Sequence, residues 1–126
     1  MYQLRPFAVW DSARWFTSEM YLPGQMICLS HHAQKTLGDT QGGTILHDDP
    51  EADAWLRRAR FDGRTAGVHP KDDTFNQRAW HCYLSPDVAA RLLWKLSVLP
   101  KHNEPLPWGP GTDSDYPDLS LLPIFR

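Results

Sequence analysis

Apolar residues come in short runs in the first part of the chain and in a helical rhythm further on. Residues 6–10 form one run, with Phe7, Val9 and Trp10, and it ends at an acid, Asp11. Residues 25–29 and 42–47 form two more, punctuated by Pro23-Gly24 before the first and by Asp48, Asp49 and Pro50 after the second. Short apolar runs between turn signals predict buried strands, so these three are expected as neighbours in one sheet. Residues 16–22 are mixed and fit neither period. Asp49 is a good N-cap and Pro50 a good first helical residue. The helix they predict carries Ala52, Trp55, Leu56 and Ala59 on a face expected to be buried, with Arg57, Arg58 and Arg60 in water. A second helix opens at Ser85-Pro86, has Val88, Ala89, Leu92, Leu93 and Leu96 as its expected buried stripe, and stops at Pro100.

Between the helices, residues 64–78 are polar and read as a long surface loop, followed by a short apolar patch at 80–84. Residues 101–126 are proline-rich and aperiodic, an extended tail that needs something to lie on. The pattern predicts one α/β domain over residues 1–126, a sheet covered by two helices.

Candidate chemistry centres on residues 28–45, which hold Lys35 between two strand ends. Ser30 lies five residues before it and Gly42 and Gly43 seven and eight after it. A serine hydroxyl and loop N–H groups can take a phosphate, and a lysine amine can form a Schiff base with a carbonyl. Asp11 also stands at a strand end, where open α/β sheets place ligands. It could equally cap a turn begun by Ser12, Ala13 and Arg14.

The lysine stretch, Ser30-His31-His32-Ala33-Gln34-Lys35-Thr36-Leu37 through Gly42-Gly43, resembles the lysine segment of the DegT/StrS family of pyridoxal-phosphate (PLP) sugar aminotransferases. Its pattern is roughly Ser-Phe-His-x-x-Lys-x-Leu-x-x-Gly-x-Gly-Gly, and Ser30, His32, Lys35, Leu37, Gly42 and Gly43 match it. Asp11-Ser12-Ala13 looks like the family's Asp-x-Ala strand end, and residues 79–86 look like its Gly-x-Asn-Tyr-Arg-Met segment. His31 and Thr40 depart from the pattern, as do Arg14, His81 at the asparagine and Tyr83 at the arginine.

The resemblance implies an incomplete large domain of a fold-type I PLP aminotransferase. Lys35 would be the catalytic Schiff-base lysine and move the substrate proton. Asp11 would hold the pyridine nitrogen protonated. Ser30 would bind the phosphate, with His32 beside it, and His81 would reach the cofactor of a neighbouring subunit. The expected reaction moves an amino group, by resemblance from glutamate, to a keto-sugar or similar carbonyl. In the family an N-terminal half supplies the phosphate-binding helix start and the aromatic that stacks on the ring. This sequence begins at the aspartate strand, so a homodimer partner or companion chain is expected to supply both. Residues 115–120 near Ile124 and Phe125 look like the natural end of a compact member. The other reading is a non-catalytic binding or structural protein, a relic that keeps the fold without a complete site.

Charge and cysteine content narrow the rest. A net charge of −2 with no basic stripe argues against a nucleic-acid partner. No apolar run is long enough to cross a membrane, and residues 1–5 lack a signal-peptide core. Two cysteines, Cys28 and Cys82, make no disulfide framework, which points to a reducing cytoplasm. Cys28 and His31 have a usable metal spacing, but no second pair with zinc-site spacing accompanies them, so no metal is expected.

Overall fold

The computed structural model describes residues 1–107 and Pro123. The expected end of a compact member, at residues 115–120 and 124–125, lies outside them. Strand β1 is Tyr2–Gln3, β2 is Val9–Asp11, β3 is Met26–Ser30 and β4 is Gly43–Leu46; helix α1 is Pro50–Ala59 and α2 is Pro86–Val98. The sheet order is β1-β2-β3-β4, with β2 and β3 parallel and the two outer pairs antiparallel. The three expected strands are therefore neighbours in one mixed sheet, and a two-residue strand at the N-terminus adds to them.

β3 is the centre of the sheet. Its alternation buries Ile27 and Leu29 on one face, as a pleated strand with one covered side should. They pack with Met20, and Trp10, Phe16, Tyr21 and Leu46 close around them. The segment 16–22, which fits neither period, thus plugs the core without being regular. Phe16 also touches a second cluster, Leu37 with Val88 and Leu92. That cluster ties α2 to the loop after β3.

Both helices start at the expected proline. Asp49 accepts hydrogen bonds from the N–H groups of Glu51 and Ala52 at 2.8 and 3.1 Å, and Pro50 is the first helical residue. Pro86 follows the N-cap Ser85, whose side chain makes no capping bond.

Burial on the helices departs from expectation. Trp55 is 50% exposed and Leu56 only partly covered, although Ala59 is buried. Arg57 is exposed, but Arg58 is half-buried and bonds Asn76 and Gly63. The reason is positional. α1 does not lie on the sheet, because a cleft separates it from β4. One of its sides meets the polar 61–79 loop, where a guanidinium is useful. On α2 only Val88 and Leu92 are buried, while Leu93 and Leu96 are 67% and 46% exposed. The surface meeting α2 is just the narrow one built by Leu37, Leu84, Phe16 and Leu99. The two helices therefore do not cover the sheet as a layer.

Residues 64–78 do form a loop, interrupted by one 3-10 turn at Pro70–Asp72. The Asp73 carboxylate pins it, accepting from the Thr65 N–H and hydroxyl and the Thr74 N–H. The described start of the tail lies on residues 14–18. Ser18 N–H donates to the Lys101 carbonyl at 2.7 Å, Leu106 N–H to the Arg14 carbonyl at 2.8 Å, and the Trp15 indole to the Asn103 carbonyl at 2.8 Å.

This burial map makes a stability prediction. Ile27→Ala should cost about 2–5 kcal/mol, as a fully buried aliphatic does, whereas Leu93→Ser should change stability by less than about 0.5 kcal/mol. Urea unfolding of the two variants checks both.

Candidate functional site

The parallel pair β2-β3 brings two of the expected site residues to one sheet edge. Asp11 is the last residue of β2, in register with Cys28, and Ser30 ends β3 two residues beyond. The Asp11 carboxylate is exposed and accepts the Ala13 N–H at 2.8 Å. No helix follows, so it makes an Asx turn and not a helix cap. Ser12, nearly buried, donates its hydroxyl to the Trp15 carbonyl at 2.6 Å. Ser30 is half-buried, and its oxygen accepts the His32 N–H at 3.3 Å.

Lys35 sits in the arch that follows. Its N–H donates to the His32 carbonyl at 2.9 Å, which closes a turn. The side chain is half-buried and makes no hydrogen bond or ion pair among the described residues. His32 is exposed beside it.

The arch is fixed at both feet. His31 N–H donates to the Gly42 carbonyl at 2.9 Å, Asp39 N–H donates to the His31 carbonyl at 2.8 Å, and His31 Nε2 lies 2.8 Å from Thr44 Oγ1. Gly42 is held at φ +104°, a backbone conformation that favours glycine, and a Cβ there would come within 2.5 Å of Leu84 Cδ1, whose side chain would have to move. At Gly38 a Cβ would meet the Ala33 carbonyl oxygen at 2.6 Å.

The far foot carries a charge cluster. The Asp39 side chain meets Arg91 Nη2 at 2.9 Å and Lys95 Nζ at 3.2 Å, and Arg91 also pairs with Asp87 at 3.0 Å. The Arg91 hydrogen bonds and the Thr40 N–H hold the Asp39 carboxyl well below the usual carboxylate range. Sequence reading missed Asp39, Arg91 and Lys95. The only signal was the Asp87, Arg91, Lys95 spacing of four on one helix face.

His81 stands elsewhere. It bridges to Phe61, its Nδ1 is 2.8 Å from the Asp62 carboxylate, and it lines the cleft between β4 and α1. That cleft has a volume of about 930 Å³ and is walled by Ile45, Trp55, Trp80 and Tyr83 among others, with Cys28 and Cys82 also on its lining. Burial, with help from the Asp11 charge, pushes the Cys28 thiol up. A second cavity, under the lysine arch, is lined by Ser12, Ser30, His31 and Thr36 and holds only about 10 Å³, room for one water. Neither is lined by Lys35 or Asp11.

No family model, no curated protein and no solved structure matches the chain. No helix among the described residues is long and apolar enough to cross a membrane. No three His, Cys, Asp or Glu side chains among them converge on a point where a metal could sit.

His31, which replaces the expected aromatic, is 3% exposed, and burial pushes its pKa down. In an unfolded chain histidine titrates near ~6.5. Its contribution to stability is therefore complete above that pH and is lost as pH falls through the lower folded value, because only the unfolded chain takes the proton readily. The urea midpoint should fall between about pH 7.5 and about pH 5.5, and His31→Gln should flatten that fall.

Proposed function

We propose that this chain is the lysine-bearing part of a PLP-dependent aminotransferase that transfers an amino group to a keto-sugar or similar carbonyl. The observation that carries the reading is the shared edge. Asp11 and Ser30 end adjacent parallel strands, and Lys35 follows on the next turn with its amine uncommitted. The donor set suits the cofactor chemically. A carboxylate suits a protonated pyridine nitrogen, a hydroxyl suits a phosphate and an unpaired amine suits the carbonyl.

When bound, PLP supplies the electron sink for the carbanion chemistry. The rest falls to the chain. Lys35 Nζ would hold the cofactor carbonyl and carry the proton to and from the substrate carbon. Asp11 would keep the nitrogen protonated. Ser30, whose oxygen already accepts one hydrogen bond, still has its O–H to donate to a phosphate oxygen, and His32 lies beside it on the same arch. His81, fixed through Nδ1 by Asp62, would reach the cofactor phosphate of a neighbouring subunit as a donor only with a second proton on Nε2.

The 10 Å³ cavity next to Ser30 cannot take a ring. On this reading the walls for one would come from another polypeptide, a second copy or a companion chain. Two free cysteines suit a reducing cytoplasm. The open position of Asp11 and the departures at Thr40, His81 and Tyr83 favour the other reading, a non-catalytic relic, and the same experiment separates the two.

The chain is combined with a polypeptide that supplies a phosphate-binding helix start and a ring-stacking aromatic, and PLP is added. A visible absorption band is expected, borohydride should fix the cofactor on Lys35, and Lys35→Ala should abolish both. Asp11→Ala should weaken cofactor binding about tenfold or more, the value of a lost charged hydrogen bond. A reduced adduct on another lysine, or no uptake at all, supports the relic.

A further inference from the structure

We infer that Asp39 is the positioning residue for Lys35: gripped by Arg91 and Lys95 of α2, it fixes the arch that presents the lysine and keeps the nearest loop carboxylate from pairing with the amine. The role assigned to Lys35 rests on the function proposed above, but the fixing of the arch does not.

The geometry is that of an arch with two footings. One foot, His31, is bound to Gly42 and Thr44 at the start of β4. The other, Asp39, is bound to His31 through its N–H, and its side chain leaves the sheet altogether for α2. Residues 32–38 span the gap. Leu37 is turned inward against Val88 and Leu92, and Lys35 lies two residues before it, with its side chain unpaired.

Asp39 is 8% exposed. A carboxylate in such a place must be fully bonded or it opposes folding, and this one is. Arg91 Nε approaches both carboxylate oxygens, at 3.2 and 3.1 Å, and Nη2 approaches Oδ1 at 2.9 Å. Lys95 Nζ reaches Oδ2 at 3.2 Å and also the Gly38 carbonyl, one residue closer to the lysine. The Thr40 N–H takes Oδ1 at 2.8 Å. A planar fork on two oxygens fixes direction as well as distance, which a lone ammonium cannot do.

The same saturation has a second effect. Asp39 is four residues from Lys35 and is the only carboxylate within the arch. An ion pair between them would consume the amine a Schiff base needs. Arg91 and Lys95 occupy the Asp39 oxygens first. A reactive group displaced by about 1 Å can lose on the order of a hundredfold in rate, so holding the backbone of residues 31–39 matters more than its modest share of the fold suggests.

The test is amide hydrogen exchange on the full chain at neutral pH. Asp39→Asn should speed exchange at the Lys35 and Asp39 amides at least tenfold, while the β3 amides of Ile27 and Leu29 keep their protection. Arg91→Met, which leaves the Lys95 contact, should show a smaller change of the same pattern, and it serves as the reading variant if Asp39→Asn does not fold. Arg91→Lys should not restore wild-type protection, because it keeps the charge and loses the fork. Equal acceleration in β3 and in the arch would reduce Asp39 to general stability and overturn the inference, as would wild-type protection of the arch in both variants. In the PLP-loaded, completed protein, Asp39→Asn should lower the fraction of borohydride label on Lys35 and spread it to other lysines. If the exchange pattern follows expectation while even the wild-type completed protein takes no label, Asp39 still sets the arch and only the cofactor reading falls.

Discussion

A buried carboxylate on a loop, Asp39, is held by two cations from a helix more than fifty residues later in the chain. Few other contacts join α2 to the sheet side of the molecule. The cluster built on the strands, Met20 with Ile27 and Leu29, contains no residue of either helix. α2 reaches it through Phe16 and through Leu37, which belongs to the same arch as Asp39. Remove the ion pairs and a charge is stranded out of water, a cost larger than the pair's net favourable contribution. The arch cannot leave α2 cheaply. The arch and the helix are coupled both by these ion pairs and by the packing of Leu37 on Val88 and Leu92.

Among the described residues β4 pairs with β3 alone, and α1 stands away from it across a cleft lined by large apolar side chains. Trp55 and Trp80 on that cleft are half or more exposed. Single exposed apolar residues mean little, but two tryptophans on one cleft beside a strand edge are a surface that water does not favour. This agrees with the proposal that another polypeptide completes the protein.

The chemical logic of the proposed site follows from the sheet. Parallel strands end with their carbonyl edges on one side, and residues just past those ends converge without any loop having to be long. Asp11 and Ser30 owe their common edge to the β2-β3 register. The mixed topology matters too. β4 returns antiparallel, so Gly43 lies opposite Ser30 and the arch must close within the residues between them. That short span is why glycine is favoured at Gly42 and why His31 can reach Thr44.

What the chain's order of residues determined alone is what local physics controls. Asp49-Pro50 starts a helix because a cap and a fixed φ act within one turn, and Pro86 does so by its fixed φ. The runs around Val9, Ile27 and Ile45 form strands because they are apolar, short and bounded by turn residues. Asp11, Ser30 and Lys35 were singled out from the sequence as candidates, and the structure adds that the first two end neighbouring strands. Burial on the helices was not. Trp55 and Leu96 lie in helical phase with truly buried residues, and their exposure depends on whether another surface lies opposite them, a fact held elsewhere in the chain. Asp39 was illegible for the same reason. An acid in a polar loop reads as solvated until α2 folds back and sets Arg91 and Lys95 beside it. Only the tertiary structure decides that, because the energy of a charge is set by the partners and the solvent it is left with, not by its neighbours in sequence.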